Sequence, residues 1–113
     1  IFILNNEYMG MVRQWQELLH GGRYSHSYTD ALPDFVKLAE AYGAVGIRAT
    51  KPGELDARIK EMIDVKAPVI FDCVVDKYEN CFPMIPSGAA HNEMILGDDP
   101  EAATVTEEGK MLV

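Results

Sequence analysis

The chain has 113 residues, with 18 acidic against 10 basic side chains and a formal net charge of −8. Its length allows at most one domain, and its 48% hydrophobic content is sufficient for a buried core. The acidic balance argues against a nucleic-acid partner, because binding to a phosphate backbone needs clusters of Lys and Arg. No apolar run approaches the ~20 residues of a membrane span, so we expect no membrane partner.

The first six residues, Ile-Phe-Ile-Leu-Asn-Asn, predict a strand that is covered on both faces, because its apolar run shows no polar alternation. Apolar spacing and the positions of Gly and Pro then predict the remaining elements. These are a helix over 9–19, a helix from Pro33 to Gly43, a strand over 44–49, a helix that opens at Thr50 and Pro52, and a strand over 68–75.

Strands that alternate with helices predict right-handed crossovers and a mostly parallel sheet, in a three-layer α/β/α fold. Three strands make a thin sheet, so we expect this fold to be incomplete and the first strand to pair with residues outside this chain. Residues 1–96 are assigned to this domain, and within them 76–96 form an ordered, irregular arm. Residues 97–113 are assigned to an acidic tail that is either mobile or packed on something absent.

The two cysteines, Cys73 and Cys81, lack the spacing of a metal site. Cys73 lies in an apolar run, where it is typical of a small buried side chain, and Cys81 follows in a loop with prolines. This usage favours a reducing compartment without a disulfide, which fits a cytoplasmic protein and leaves a plastid open.

Asn5 and Asn6 end the first strand, at the edge where α/β sheets bind ligands. One interpretation is a strand-to-helix turn, which Asn suits through local hydrogen bonds. The other is a ligand for Mg²⁺, which prefers hard oxygen atoms and often lies between a protein and substrate phosphates.

The segment after the amide pair carries Met9 and Met11 on either side of Gly10, followed by Trp15 at helical spacing. Such residues are commonly part of a core, but at the mouth of a crevice they also suit the wall of an apolar cofactor pocket. The three histidines have no partner at metal-ligand spacing, and no catalytic residue is assigned to this chain.

Three stretches together resemble one enzyme family. They are Leu4-Asn5-Asn6-x-x-Met9-Gly10-Met11-Val12-x-Gln14-Trp15, residues 34–43 (DFVKLAEAYG) and residues 83–88 (PMIPSG). The chain resembles, over residues 1–96, the thiamin-diphosphate-binding domain of the acetolactate synthase (acetohydroxyacid synthase) catalytic subunit. In that family the Asn-Asn pair closes a motif that opens with Gly-Asp-Gly.

The resemblance implies roles for nine positions. Asn6 matches the Mg²⁺ ligand, through its side-chain oxygen, and Tyr8 matches the position that gives a main-chain carbonyl to the same ion. The remaining matches are Met9 and Gly10 at the cofactor, Met11 packed on the aminopyrimidine with Val12 beside it, Trp15 in the acceptor and herbicide pocket, and Ser87 with Gly88 in the arm that closes the substrate channel.

The implied activity is that of a carboligase in branched-chain amino-acid biosynthesis. It decarboxylates pyruvate and joins the hydroxyethyl unit to pyruvate or 2-ketobutyrate, which gives 2-acetolactate or 2-aceto-2-hydroxybutyrate. The family also implies FAD, a homodimer or tetramer, a possible small regulatory subunit, and an activating glutamate from another subunit. The Gly-Asp-Gly segment, that glutamate and the FAD site lie outside this chain, so we expect the isolated chain to be inactive.

Two alternatives stay open at the level of the sequence. One is another thiamin-diphosphate-dependent decarboxylase or carboligase, such as glyoxylate carboligase. It would share the Asn-Asn pair but should lack both Gln14-Trp15 and the Met-Ile-Pro-Ser-Gly stretch. The other is a non-catalytic interaction domain whose acidic tail binds a basic partner.

Overall fold

The computed structural model describes residues 1–97 and shows two compact units. The first unit consists of Ile1–Glu7 and Asp30–Lys77, and the second of Tyr8–Thr29 with the described residues from Tyr78 onward. The elements, in chain order, are β1 (Phe2–Asn5), α1 (Gly10–Leu18), α2 (Phe35–Ala41), β2 (Val45–Ala49), a 3-10 turn (Pro52–Glu54), α3 (Leu55–Asp64), β3 (Val69–Val74) and a second 3-10 turn (His91–Glu93).

The sheet of the first unit is parallel, as the alternation of strands and helices predicts. Its strand order is β1-β3-β2, so β3 lies in the centre. The register places Ile3 of β1 and Arg48 of β2 beside Asp72 of β3. Since alternate residues of a strand point to opposite faces, these three side chains share one face of the sheet.

Helices cover both faces of this sheet, which confirms the predicted three-layer α/β/α arrangement. On one face, Ile47, Ala49, Phe71 and Cys73 form the buried core, and the α3 side chains Leu55, Ile59 and Met62 pack against it. On the other face, α2 approaches so closely that Gly46 lies directly beneath Val36. Cys73 is buried, as predicted, and both cysteines are free thiols.

Strand β1 is less covered than its apolar sequence predicts. Leu4 is 69% exposed and Phe2 is 42% exposed, although the Phe2 ring contacts the Phe71 ring edge-on at 4.6 Å. The prediction that β1 is covered on both faces is therefore wrong for these two side chains within the described residues. The reason is that α3 packs over β2 and β3, and β1 pairs only with β3 among the described strands.

Helix α2 begins two residues later than predicted. Pro33 does not open the helix; Asp34 is its N-cap, and the Asp34 carboxylate accepts hydrogen bonds from the main-chain N–H groups of Val36 and Lys37. A carboxylate at this position satisfies donors that the first helical turn leaves without partners. Gly43 ends the helix as predicted, with a φ of +71° that a side chain would strain.

The buried side of helix α1, in the second unit, carries two polar residues beside the apolar Leu18. Gln14 and Arg13 are buried, whereas Met11 and Trp15 are 54% and 52% exposed. The guanidinium carbon of Arg13 lies 5.0–5.3 Å from the ring centroids of three tyrosines, Tyr8, Tyr24 and Tyr78. Arg13 also pairs with the Glu17 carboxylate at 2.6 Å, so its buried charge is compensated.

Residues 78–96 of the arm contain little regular structure. Met84 and Ile95 form an antiparallel bridge through two main-chain hydrogen bonds of 2.9 and 2.8 Å. The 3-10 turn His91–Glu93 lies between them, and the predicted acidic tail, apart from Gly97, lies outside the described residues. None of the helices within residues 1–97 is long and apolar enough to cross a membrane.

Gly46 provides a test of how closely α2 packs on the sheet. A methyl group at this position would lie 2.7 Å from the Val36 Cα and 2.8 Å from the Val36 carbonyl oxygen. Because main-chain atoms cannot move aside as a side chain can, we expect Gly46→Ala to lower the free energy of unfolding by about 1–3 kcal/mol.

Urea unfolding followed by circular dichroism measures this change. Gly53→Ala is the matched control, because a methyl group at Gly53 meets nothing within 4 Å. Equal unfolding free energies for the two variants would show that α2 does not press on β2 as described.

Candidate cofactor site and substrate cleft

Asn5 fixes the chain at the end of β1. Its Nδ2 group donates to Oδ1 of Asp72 at 2.9 Å, and its Oδ1 atom accepts the main-chain N–H of Glu7 at 3.2 Å. Glu7 has a φ of +59°, which is unusual for a residue with a side chain, and its carboxylate pairs with Lys77. The Asn5 amide therefore links the end of β1 to Asp72 through its nitrogen and holds the following turn through its oxygen.

Asp72 is the buried centre of this arrangement. Its carboxylate is 1% exposed and pairs with the Arg48 Nε at 2.8 Å. The Arg48 Nη2 atom reaches on to the Asp34 carboxylate, also at 2.8 Å. The hydrogen bond to Asp72, together with Asp34, raises the pKa of Arg48 above its ordinary value, although burial acts in the opposite direction.

Sequence reasoning missed Asp72 because the strand was treated as apolar throughout. The available signal was a single carboxylate in the middle of the run Val-Ile-Phe-Asp-Cys-Val, one strand away from Arg48. A charge inside a buried strand requires a partner, so the pair could have been proposed.

The predicted metal ligands offer the donor atoms that Mg²⁺ prefers. Asn6 follows β1 directly, and its side chain carries an amide oxygen. The Tyr8 ring lies 5.0 Å from the Tyr28 ring and beside Arg13, so a ligand role for Tyr8 falls to its main-chain carbonyl. Both are hard oxygen donors, as Mg²⁺ requires.

A metal at these residues needs further ligands. Within residues 1–97 there is no group of three or more His, Cys, Asp or Glu side chains that could hold an ion. Mg²⁺ is often bound by few protein ligands and completed by substrate phosphates and water. The donor set therefore fits an ion that is shared with a diphosphate group.

The residues predicted to contact the cofactor form the start of α1. Met9 is the N-cap, its side chain makes no capping hydrogen bond, and the first turn contains no acidic residue. The Met9 N–H donates to the Ser27 carbonyl oxygen at 2.8 Å, which fixes the entry to the helix. An uncapped helix start without a carboxylate is compatible with an anionic or polar ligand group.

Two clefts adjoin α1, and both have Met11, Trp15 and His20 in their walls. The first, of about 300 Å³, is completed by Val12 and Gln16. The second, of about 230 Å³, is completed by Leu19 and by three arm residues, Met84, Ile85 and Ser87. The second cleft thus brings together Met11, Trp15 and Ser87, to which the resemblance gives roles at the cofactor, in the acceptor pocket and in the arm over the substrate channel.

The match between the predicted and observed walls is incomplete. Val12 lines only the first cleft, and Met9, Gly10 and Gly88 line neither. His20 and Gln16 were not predicted. Gln16 lines the first cleft, and its buried Oε1 atom has no hydrogen-bond partner within the described residues.

Comparison with known proteins identifies the class to which this fold and site belong. Residues 1–73 match the family described as thiamine pyrophosphate enzyme, C-terminal TPP binding domain. Thiamine pyrophosphate is thiamin diphosphate, and the chain belongs to this family of cofactor-binding domains.

Within that family the chain is similar to acetolactate synthases, which confirms the resemblance seen in its motifs. It is 47% identical over 102 residues to the acetolactate synthase large subunit of Haemophilus influenzae, covering 89% of this chain and 18% of that protein. It is 48% identical over 101 residues to the mitochondrial acetolactate synthase catalytic subunit of Saccharomyces cerevisiae, covering 89% and 14%. The chain spans less than a fifth of the length of these curated relatives.

The Asp72–Arg48 pair yields a prediction about stability. Arg48→Met leaves the buried Asp72 carboxylate with only the Asn5 amide, so we expect a loss of about 3–5 kcal/mol in the free energy of unfolding. Adding Asp72→Asn to Arg48→Met should recover much of this loss, because the double variant has no uncompensated buried charge.

Urea unfolding near neutral pH measures both effects. Arg58→Met is the control, because Arg58 pairs with Glu61 on the exposed side of α3 and such pairs contribute about 0–1 kcal/mol. Equal losses for Arg48→Met and Arg58→Met, or a double variant no more stable than Arg48→Met, would contradict the assigned role of Asp72.

Proposed function

We propose that the chain is the C-terminal part of the thiamin-diphosphate-binding domain of an acetolactate synthase catalytic subunit. Such an enzyme decarboxylates pyruvate and condenses the two-carbon unit with pyruvate or 2-ketobutyrate, which gives 2-acetolactate or 2-aceto-2-hydroxybutyrate. The observation that carries this proposal is the 230 Å³ cleft, in which Met11 and Trp15 of one motif face Ser87 of the other.

The proposed roles follow from the chemistry of each residue. Asn6 and Tyr8 supply oxygen ligands to Mg²⁺, and the start of α1, from Met9 to Val12, lies along the cofactor. Thiamin diphosphate supplies the electron sink for the decarboxylation of a 2-keto acid.

Trp15 is proposed to select the acceptor by packing. It is half exposed and lines both clefts, so its indole can contact the alkyl end of a small keto acid. 2-Ketobutyrate has one methylene more than pyruvate, and one methylene in an apolar pocket changes the free energy of binding or reaction by about 1–3 kcal/mol. A glyoxylate carboligase, whose acceptor has no alkyl group, has no use for such a wall.

Other components of the enzyme are proposed to lie outside this chain. They are the Gly-Asp-Gly segment, the activating glutamate, the FAD site, the second subunit of a homodimer or tetramer, and a possible regulatory subunit. We therefore expect the isolated 113-residue chain to form no acetolactate. The two cysteines, which form no disulfide, support a reducing compartment such as the cytoplasm or a plastid.

A chimera tests the proposed activity. Residues 1–97 replace the segment that they match in the Haemophilus influenzae large subunit. We expect the chimera to convert pyruvate to acetolactate in the presence of thiamin diphosphate, Mg²⁺ and FAD, because the residues that line its cleft are those proposed for this reaction. Colorimetric detection of acetoin after acid treatment measures the product.

Two results would contradict the proposal. One is a chimera that has the circular dichroism and oligomeric state of its parent but forms no acetolactate. The other is a chimera that prefers glyoxylate to pyruvate as the acceptor, which would favour the carboligase alternative.

The metal role of Asn6 has a test that does not depend on turnover. Asn6→Ala removes the proposed side-chain ligand, and we expect the affinity of the chimera for Mg²⁺ in the presence of thiamin diphosphate to fall. The loss should reach at least the roughly 10–100-fold that follows removal of a residue that merely supports a metal ligand. Isothermal titration calorimetry measures it.

Asn92→Ala is the matched control, because Asn92 lies exposed in the second 3-10 turn. If Asn6→Ala and Asn92→Ala bind Mg²⁺ equally well, Asn6 is not a ligand.

A further inference from the structure

Gln14 is a buried polar residue whose amide contacts the arm. It is 2% exposed although it lies on α1, whose apolar side chains Met11 and Trp15 are half exposed. The main-chain N–H of Cys81 donates to the Gln14 Oε1 at 2.8 Å, and the Gln14 Nε2 donates to the Cys81 carbonyl oxygen at 3.0 Å. Nε2 also lies 3.0 Å from the sulfur of Met84.

Through these contacts, the Gln14 amide pairs with the main chain of Cys81 as the main chain of a neighbouring strand would. It satisfies the donor and the acceptor of one peptide residue at once, whatever side chain Cys81 carries. Burial makes these two hydrogen bonds more important. If the Gln14 amide lost them, water could not take their place, and its polar atoms would be left without partners. A weaker second link, from the Asn80 Nδ2 to the Glu17 Oε1 at 3.3 Å, lies beside it.

One of the two residues that Gln14 contacts also lines the 230 Å³ cleft. Met84 contacts Gln14 directly and lines the cleft together with Ile85 and Ser87. Helix α1 contributes Met11 and Trp15 to the same cleft. Gln14 therefore links α1 to the arm beside the residues that line the cleft.

We propose that Gln14 is a positioning residue for acceptor selection, which sets the width of the cleft between Trp15 and the arm by holding the main chain of Cys81. This inference rests on the proposed function. Gln14 touches neither cleft surface, so it acts on the substrate only through Met84 and its neighbours. If the arm is no longer held by Gln14, it loses its close contact with the alkyl group of 2-ketobutyrate, whereas the start of α1 is unchanged.

The test compares two changes at Gln14 in the chimera, prepared as holoenzyme with Mg²⁺ and thiamin diphosphate. Gln14→Leu removes both hydrogen bonds to Cys81, and Gln14→Glu keeps the acceptor for the Cys81 N–H but loses the donor. Lys60→Gln, on the exposed side of α3, is the control. Trp15→Leu serves as the reference for a changed cleft.

Two measurements are made on each variant. Hydrogen exchange followed by mass spectrometry reports the protection of the main chain over 80–88. Competition between 2-ketobutyrate and pyruvate, with each KM determined separately, reports the ratio of the two products. We expect Gln14→Leu to speed exchange over 80–88 and to raise the KM for 2-ketobutyrate, so that the product ratio falls several-fold toward that of Trp15→Leu. Gln14→Glu should also speed exchange over 80–88 and lower the product ratio, because a carboxylate cannot donate to the Cys81 carbonyl oxygen.

The cofactor affinity separates a positioning role from general disorder. We expect the affinities for Mg²⁺ and thiamin diphosphate to be unchanged in both Gln14 variants. A product ratio that falls only together with cofactor affinity would contradict the inference.

Each of the remaining outcomes would contradict one step of the inference. Unchanged exchange in Gln14→Leu would show that Gln14 does not hold the arm. Faster exchange with an unchanged product ratio would show that the arm does not set selectivity, provided that Trp15→Leu lowers the ratio. If Trp15→Leu leaves the ratio unchanged as well, the proposed acceptor cleft fails, while the exchange result still tests the contact with Cys81. Should Gln14→Leu fail to fold, the same comparisons apply to Gln14→Glu.

Discussion

The arrangement of the first unit depends on one buried carboxylate. Asp72 lies at the centre of the middle strand, and its charge is tolerable only because Arg48 from β2 and Asn5 from β1 contact it. The contact therefore specifies the register of all three strands, since a shift by one residue would turn a partner to the opposite face. Arg48 carries the constraint further, to the Asp34 carboxylate that begins α2.

The same carboxylate separates the roles of the two neighbouring amides. Asn5 lies on the face of Asp72, and its amide is used in ending the strand and in shaping the turn at Glu7. Asn6 is the next residue of the chain and lies outside β1. Of the two identical residues, Asn5 is thus the one whose amide shapes the backbone at the end of the strand, and Asn6 is the one proposed as the metal ligand.

The sequence predicts the strand and helix order well because those signals are local. Apolar runs and the position of Gly43 place most of the elements to within about two residues, and the parallel sheet follows from their alternation. The exception is α3, which begins at Leu55, after the 3-10 turn Pro52–Glu54, rather than at Thr50 or Pro52. The predicted start of α2 at Pro33 is wrong, because the helix begins where the Asp34 carboxylate accepts hydrogen bonds from its first turn. The sequence does not predict the exposure of Leu4 or the partners of Asp72, because both depend on residues far away in the chain.

Helix α1 shows why the candidate cleft could be predicted only in part. Its apolar residues indicated a helix, and spacing alone would place them in a core. Of its apolar residues Leu18 is buried, but the same side also carries Arg13, compensated by tyrosine rings and Glu17, and Gln14, compensated by the main chain of Cys81. Because these polar groups are satisfied inside, Met11 and Trp15 can remain at the surface as the wall of a cleft. An apolar wall that must stay open to a substrate cannot also hold the helix in place, so the packing of this helix depends on polar contacts that spacing does not reveal.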